Sequence, residues 1–395
     1  MKIKILISAT ALLLVGGAAI GALILLAHSN FPGSGLPFVL PYTAPISAGN
    51  NHSDVITSDG KLWMFGGPAS NLHPIEIMEN IRSVSTNVGE ITWSTGNTHR
   101  MVLTSEGLLW VCGVDIREAN YLARSASRLG WGRPSRQFEN LYTPVHIMDN
   151  VVSISAGSRH ALAITSDGAL WGWGESWHGQ LGEGLNSRDG NNPGIIIGGA
   201  SAVSAGNGHT MVITTSDELW IFGMNNRGQL GNGTVSHSGN EKGLMRDVQR
   251  VAAGSWYSLA ITSNGDLWAW GCNRYGQLGD GTIEGRYTPV RIMQDVIYAS
   301  AGLSHTMAIT SDGVLWGWGA NQSGQLGIGT TENQYSPIQI LTDVVTVSVG
   351  YAHTLAVTSD SVLWAWGNNS NGQLGDGTTI TRYSPVKIME DIMLP

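Results

Sequence analysis

The chain has 395 residues, of which 53 are glycine and 15 tryptophan while only 13% are charged, a balance that suits many short strands and tight turns. Its net charge is −8, and because Lys2 and Lys4 are the only charges among the first 27 residues, the remainder carries −10. That argues against a protein that tracks phosphates along a nucleic acid, and a chain of this length needs neither disulfides nor a structural metal to build a core.

Residues 5–27 run 23 positions without a charge, enough to cross a hydrocarbon layer of about 30 Å as a helix rising about 1.5 Å per residue. Two lysines precede the run and none follows closely, which leaves the N-terminus in the cytoplasm and delivers the rest outside. A cleaved signal peptide is the alternative. Its apolar core is normally roughly 7–15 residues, whereas this run continues past Gly17-Ala18-Ala19 to Leu26. The expected organisation is a signal anchor over 1–27, a tether over 28–45 containing Pro32, Pro37, Pro41 and Pro45, and one large domain over 46–395. That domain is membrane-anchored outside the cytoplasm, or secreted if the segment is cleaved.

From Ile46 the sequence repeats. Each copy has a Gly-x-x-His turn, an apolar strand, a polar turn and a tryptophan strand, as in Ser155-Ala156-Gly157-Ser158-Arg159-His160 followed by Trp171-Gly172-Trp173-Gly174. The landmark glycines Gly49, Gly96, Gly157, Gly206, Gly254, Gly302 and Gly350 are spaced 47, 61, 49, 48, 48 and 48, so there are seven copies and the second carries an insertion over 114–140. A period near 48 fits a four-stranded propeller blade. The segments are too short for helices and are joined by Ser-Asp-Gly, Ser-Asn-Gly or Ser-Glu-Gly turns, so each pair reads as a β-hairpin.

The fold class is therefore all-β, a seven-bladed propeller of four-stranded blades preceded by one N-terminal apolar helix. A period of two puts Trp316 and Trp318 on one face of their strand, like Trp171 with Trp173, Trp268 with Trp270 and Trp364 with Trp366, and these rings are expected between blades. Trp93 reads as a replacement for a buried Val or Ile. Segments at Pro144, Pro289 and Pro385, with variants at Pro74 and Pro337, supply a fourth strand starting at an edge-tolerant proline. The last of them either completes blade seven or latches onto blade one. Cys112 and Cys272 fall in different repeats, too far apart to bridge.

The motifs Ser/Val-x-Ala-Gly-x-x-His, Leu-Trp-x-Trp-Gly, Asn-x-x-Gly-Gln-Leu-Gly and Pro-Val together resemble the repeat of the regulator of chromosome condensation family, over residues 46–395. Gly-Gln-Leu-Gly begins at Gly179, Gly228, Gly276, Gly324 and Gly372. The resemblance implies a seven-bladed propeller. Its eukaryotic founder is a nuclear exchange factor for a small GTPase, with a basic tail and with exchange attributed to a wedge inserted in one blade. Here an apolar segment stands in place of the tail, and 114–140 shows no motif matching the wedge. Exported bacterial members, one of which inhibits β-lactamases through an aromatic-rich face, are the closer comparison.

Six landmark turns end in histidine (His52, His99, His160, His209, His305, His353) and one in Tyr257. One ring per blade leaves neighbours far beyond the roughly 2 Å that a shared ion requires, so the reading is a structural repeat with no metal. The glycine motif has no following helix to cradle phosphate, and no catalytic arrangement stands out; no cofactor is implied and no enzyme is expected.

In antiparallel blades the Gly-x-x-His turns and the Gly-Gln-Leu-Gly loops share one face, opposite the Ser-Asp-Gly hairpins. The first face carries the variable residues: Trp131, Trp177, Trp256, Tyr275 and Tyr351, with Arg159, Arg227 and Arg274, the residue types that dominate protein-protein hot spots. The insertion is net +2 on an acidic domain, with Arg117, Arg124, Arg128, Arg133 and Arg136 against Asp115, Glu118 and Glu139. The expected function is an extracytoplasmic protein-binding propeller, a recognition or inhibitory scaffold without catalysis. The alternative is guanine nucleotide exchange on a small GTPase.

Overall fold

The computed structural model describes residues 44–67, 71–86, 100–112, 144–182 and 193–395. The apolar run at 5–27, Trp93, His99, Trp131 and the 114–140 insertion lie outside them. Among the described residues no helix is long and apolar enough to cross a membrane.

The fold is all-β: seven antiparallel four-stranded sheets, each made of four consecutive strands. They are blades one to seven, covering 46–78, 81–148, 151–197, 200–245, 248–293, 296–341 and 344–389. The hairpin between second and third strands closes locally. In blade one Thr57 Oγ1 donates to Asp59 Oδ1 at 2.5 Å and Gly60 N to Thr57 O at 2.8 Å, and Gly60 turns the chain at φ 79°. The same threonine accepts from the first tryptophan of the next strand, as Thr165 does from Trp171 Nε1 at 3.2 Å.

Each junction between neighbouring blades has its own apolar cluster. Between blades five and six, Trp318 and Trp316 pack with Leu259, Leu267, Ala269 and Leu278; between six and seven, Trp366 and Trp364 meet Met307, Leu315 and Leu326. The tryptophan strands thus put their rings between blades. Cys112 lies in blade two and Cys272 in blade five.

First strands of consecutive blades lie side by side around the ring. Each is a sheet edge with amides that need acceptors, and a serine of the preceding blade supplies one. Ser155 Oγ accepts from Ala205 N at 3.0 Å, Ser204 Oγ from Ala253 N at 2.9 Å and Ser348 Oγ from Ala48 N at 2.9 Å.

Three expectations are corrected. Four of the fourth strands, such as Arg286–Met293 and Arg382–Met389, begin three residues before their proline. The proline sits inside because this strand is the outer edge, where a missing N–H costs no ladder bond. The first strand of blade two is Ile81–Thr86, not the stretch around Trp93. Its landmark is split, with Ser85 accepting from Ala156 N at 3.0 Å while Gly96 lies further along the chain.

The last open point resolves in favour of blade seven for the Pro385 segment, and the contact with blade one is made by residues beyond it. Arg382–Met389 completes blade seven, and the residues after it latch onto blade one. Ile392 bridges Thr57 as Val344 faces Thr358 in blade seven. Met393 N donates to Ile56 O at 2.9 Å, beside Ile56 N to Pro45 O at 2.7 Å. The first strand of blade one is therefore assembled from both ends of the domain. Ile392 is fully buried among Ile46, Val55, Leu355 and Val357. Ile392→Val should lower stability by about 0.5–1.5 kcal/mol, read as a lower unfolding midpoint; an unchanged midpoint would show that the latch contributes nothing.

Candidate protein-binding face

The turns after the first strands and the loops after the third emerge together. Glu175 N donates to Arg159 O at 2.8 Å, Cys272 N to Trp256 O at 2.9 Å and Asn368 N to Ala352 O at 2.8 Å. On the opposite face the second-to-third hairpins meet the links between blades, as in Ser263 N to Asp247 O and Ser359 N to Asp343 O, both 2.8 Å. Those links turn on Asn80, Asn150, Asp247, Asp295, Asp343 and Asp391, all at positive φ, which Asn and Asp tolerate better than most residues.

The repeated residues of the loops after the third strands form a hydrogen-bonded frame. Buried Asn225, Asn273, Asn321 and Asn369 accept through Oδ1 from the amides of Leu230, Leu278, Leu326 and Leu374 at 2.9–3.0 Å. Their Nδ2 groups donate across the loop to the carbonyls of Thr234, Thr282, Thr330 and Thr378. The glutamine Oε1 then takes the amide two residues back, as Gln180 does from His178, Gln229 from Arg227 and Gln277 from Tyr275, at 2.9–3.0 Å. In blade three Ser176 stands in place of the asparagine and its Oγ accepts from Leu181 N at 3.2 Å; the presented pair differs from loop to loop: Trp177-His178, Asn226-Arg227, Arg274-Tyr275, Gln322-Ser323 and Ser370-Asn371.

A second recurring network ties blades together. The residue after the landmark histidine, or after Tyr257 in blade five, carries a hydroxyl that donates to the glutamine carbonyl of the preceding blade: Thr210 to Gln180, Ser258 to Gln229, Thr306 to Gln277, Thr354 to Gln325 and Ser53 to Gln373, at 2.7–2.8 Å. Histidine Nε2 of the preceding blade faces that hydroxyl, as His160 faces Thr210, His209 Ser258, His305 Thr354 and His353 Ser53, at 2.9–3.0 Å. Since the hydroxyl proton goes to the carbonyl, Nε2 carries the imidazole proton. In blade five Tyr257 reaches across instead, its hydroxyl donating to His305 O at 2.7 Å. A Cβ on Gly206 would lie 2.5 Å from the His209 ring, so only glycine fits there.

The hydroxyl occurs only where the preceding blade carries Gly-Gln-Leu-Gly. Blade one links its third and fourth strands by residues 67–70 alone, without the motif, and blade two correspondingly carries Arg100. Cys112 lies opposite it where other blades put tryptophan or phenylalanine. Arg100 Nη2 lies 2.7 Å from Asp54 Oδ1 of blade one, with side chains 4% and 0% exposed. His52 Nε2 is 3.6 Å from Asp54 Oδ2, and Arg100 Nη1 is 3.7 Å from Cys112 Sγ. Burial raises the Asp54 carboxyl above its ordinary value while Arg100 opposes this, and Asp54 in turn raises the guanidinium against the effect of burial. Burial also pushes the Cys112 thiol up.

Of the residues read as a binding face, Trp177 is 69% exposed, Tyr275 42% and Tyr351 38%. Arg227 and Arg274 are exposed, Trp256 is half-buried, and Arg159 pairs with Glu175 at 3.1 Å. They stand on one face but are distributed over blades three, four, five and seven. Trp131 and His99 lie outside the described residues. The pattern passes over Val235, Ile283 and Ile380, which are 51–60% exposed; Val235 and Ile283 follow a Gly-Thr pair and Ile380 a Gly-Thr-Thr run, a signal visible in the sequence. It also passes over His178 and His237, whose rings meet across blades three and four. Among the described residues no group of three or more His, Cys, Asp or Glu is placed to hold a metal ion.

A family model described as the RCC1-like domain matches residues 91–394. No curated protein sequence matches the chain. Similar solved structures include yeast RCC1 (Prp20) with Kap60, at TM-score 0.70 and 17% identity over 92% of this chain and 90% of that one. Prp20p from Saccharomyces cerevisiae, reported with its binding to Gsp1p and histones, gives 0.68 and 17% over 89% and 87%. Human WBSCR16 gives 0.65 and 20% over 81% and 84%. At these identities the likeness is one of fold, and it agrees with the seven blades and their repeated loops. On the family match, which takes in six of the seven landmark turns, the chain belongs to the RCC1-like domain family.

Proposed function

We propose that the chain is a recognition scaffold that binds a protein through the face carrying Trp177, Trp256, Tyr275 and Tyr351, held outside the cytoplasm by residues 5–27 and performing no catalysis. The observation that carries this reading is the loop frame: the Gln hydrogen bond recurs, with Asn holding the loop in blades four to seven and Ser176 in blade three, while the presented pair varies. Binding residues on loops held by a rigid scaffold are a recurring solution for recognition. Exposed Trp and Tyr beside arginines are the side chains from which interface anchors are made.

Purified wild-type chain and a Trp177→Ala/Trp256→Ala/Tyr275→Ala variant, compared for capture of cell-envelope proteins, test the reading. A partner held by the first and lost by the second is expected. Identical capture by both would remove this face. Guanine nucleotide exchange is the second reading, favoured by the fold likeness to Prp20p, whose structure report names binding to Gsp1p. Accelerated nucleotide release from a purified small GTPase would support it in place of the first.

A further inference from the structure

His178 lies in the presented pair of blade three, and His237 lies 59 residues later in the corresponding loop of blade four. Their Nδ1 and Nε2 atoms are 3.2 Å apart, with ring centroids 4.7 Å apart and planes inclined at 60°. A metal ion held at about 2.05 Å from both nitrogens would subtend an angle of about 100° at this separation, between octahedral and tetrahedral values. The centroid distance adds to this. On ordinary ring dimensions two rings converging on one ion hold their centroids about 5.0 Å apart, and the observed 4.7 Å is compatible with that arrangement.

Both backbones are fixed by the loop frames. His178 N donates to Gln180 Oε1 at 3.0 Å, and the link bearing His237 is tied to Asn225, whose Nδ2 reaches Thr234 O and Ser236 Oγ at 3.2 Å. A ligand imidazole must be neutral.

We propose that His178 and His237 form a two-histidine site for a divalent transition-metal ion, bridging blades three and four on the variable face. His178 binds through Nδ1, leaving its proton on Nε2, and His237 binds through Nε2, leaving its proton on Nδ1. Two protein ligands leave the remaining positions to water or to an oxygen or nitrogen donor from outside the chain. The site stands whether or not that face docks a protein.

Cu2+, which binds such nitrogen sites more tightly than the other first-row divalent ions, is the probe. Titrated into the full chain at pH 7 and followed by electron paramagnetic resonance, it should bind at one equivalent with hyperfine splitting from two imidazole nitrogens. His178→Ala and His237→Ala should each weaken binding by at least the roughly 10–100-fold that loss of an outer-shell partner costs, with the unfolding midpoint little changed because His237 is exposed and His178 half-buried on loops. Wild-type chain that takes up no ion, a single-nitrogen spectrum, or either variant binding as well as wild type would overturn the proposal and leave the pair as a hydrogen-bonded contact.

Discussion

Arg100→Ala should lower the stability of the propeller by about 3–5 kcal/mol, because it leaves the Asp54 carboxylate buried without its counter-charge. Asp54 is fully buried on the second strand of blade one, at a position that is Met211, Leu259, Met307 or Leu355 in other blades. Among the described residues neither of its oxygens accepts a well-aligned hydrogen bond, so its attraction to Arg100 is electrostatic rather than a bidentate fit. Removing both charges should therefore be mild: Asp54→Leu/Arg100→Met is expected at or above wild-type stability. Denaturant unfolding of the three proteins decides it. A single variant within about 1 kcal/mol of wild type would mean that the pair does not hold blades one and two together.

Acid should destabilise the molecule well before its exposed turn aspartates Asp59, Asp167 and Asp312 titrate. Burial holds His209 at about 4 and His305 at about 3, and holds His353 at about 3 with His52 adding to the effect. The cause is visible at each ring. Nε2 is committed to the neighbouring blade, and among the described residues His209, His305 and His353 Nδ1 have no hydrogen-bond partner, so a second proton would be buried without an acceptor. In the unfolded chain each histidine titrates near about 6.5. Between that value and the folded one, the unfolded state binds more protons, so these groups favour the fold fully above about pH 6.5 and lose their contribution as pH falls.

Three such groups give a slope approaching about 4 kcal/mol per pH unit near pH 5, since each proton is worth about 1.4 kcal/mol per unit. The exposed turn aspartates Asp167 and Asp312, held low by the hydroxyls of Thr165 and Thr310, titrate below this window. Unfolding free energies measured at pH 7, 6 and 5 should show the steep loss, and His→Gln at 209, 305 and 353 should flatten it. A flat wild-type profile across that range would contradict the buried-histidine account.

Much of this fold is legible because one hydrogen-bonded design recurs. The landmark histidine, the hydroxyl after it, the Gly-Gln-Leu-Gly loop and the tryptophan pair all serve junctions between blades, so their spacing in sequence is the spacing of blades in space. The relay even marks ring closure, since Ser53 in blade one has its partner Gln373 in blade seven. What the repeat conceals is compensation. Blade one shortens its last link to 67–70 while blade two separates Thr86 from Arg100 by residues 87–99, so Gly49 and Gly96 stay 47 apart and the lengthened turn passes unnoticed.

The Asp54–Arg100 pair is illegible for a related reason. Each residue interrupts a pattern in its own repeat, and only the three-dimensional junction shows that one interruption answers the other. His178 and His237 likewise belong to no motif and meet only because successive loops overhang one another. The aromatic residues of the variable face were visible as departures from the strand pattern. Their distribution over four blades was not, because a period in sequence carries no measure of distance across the ring.

Hydrogen-deuterium exchange of the chain with and without a purified captured partner tests most directly whether the variable face is the binding face. The account predicts protection at 175–182, 225–231 and 272–278, with the hairpins 57–61, 165–169 and 358–362 unchanged. Protection confined to those hairpins would place the partner on the opposite face and contradict it.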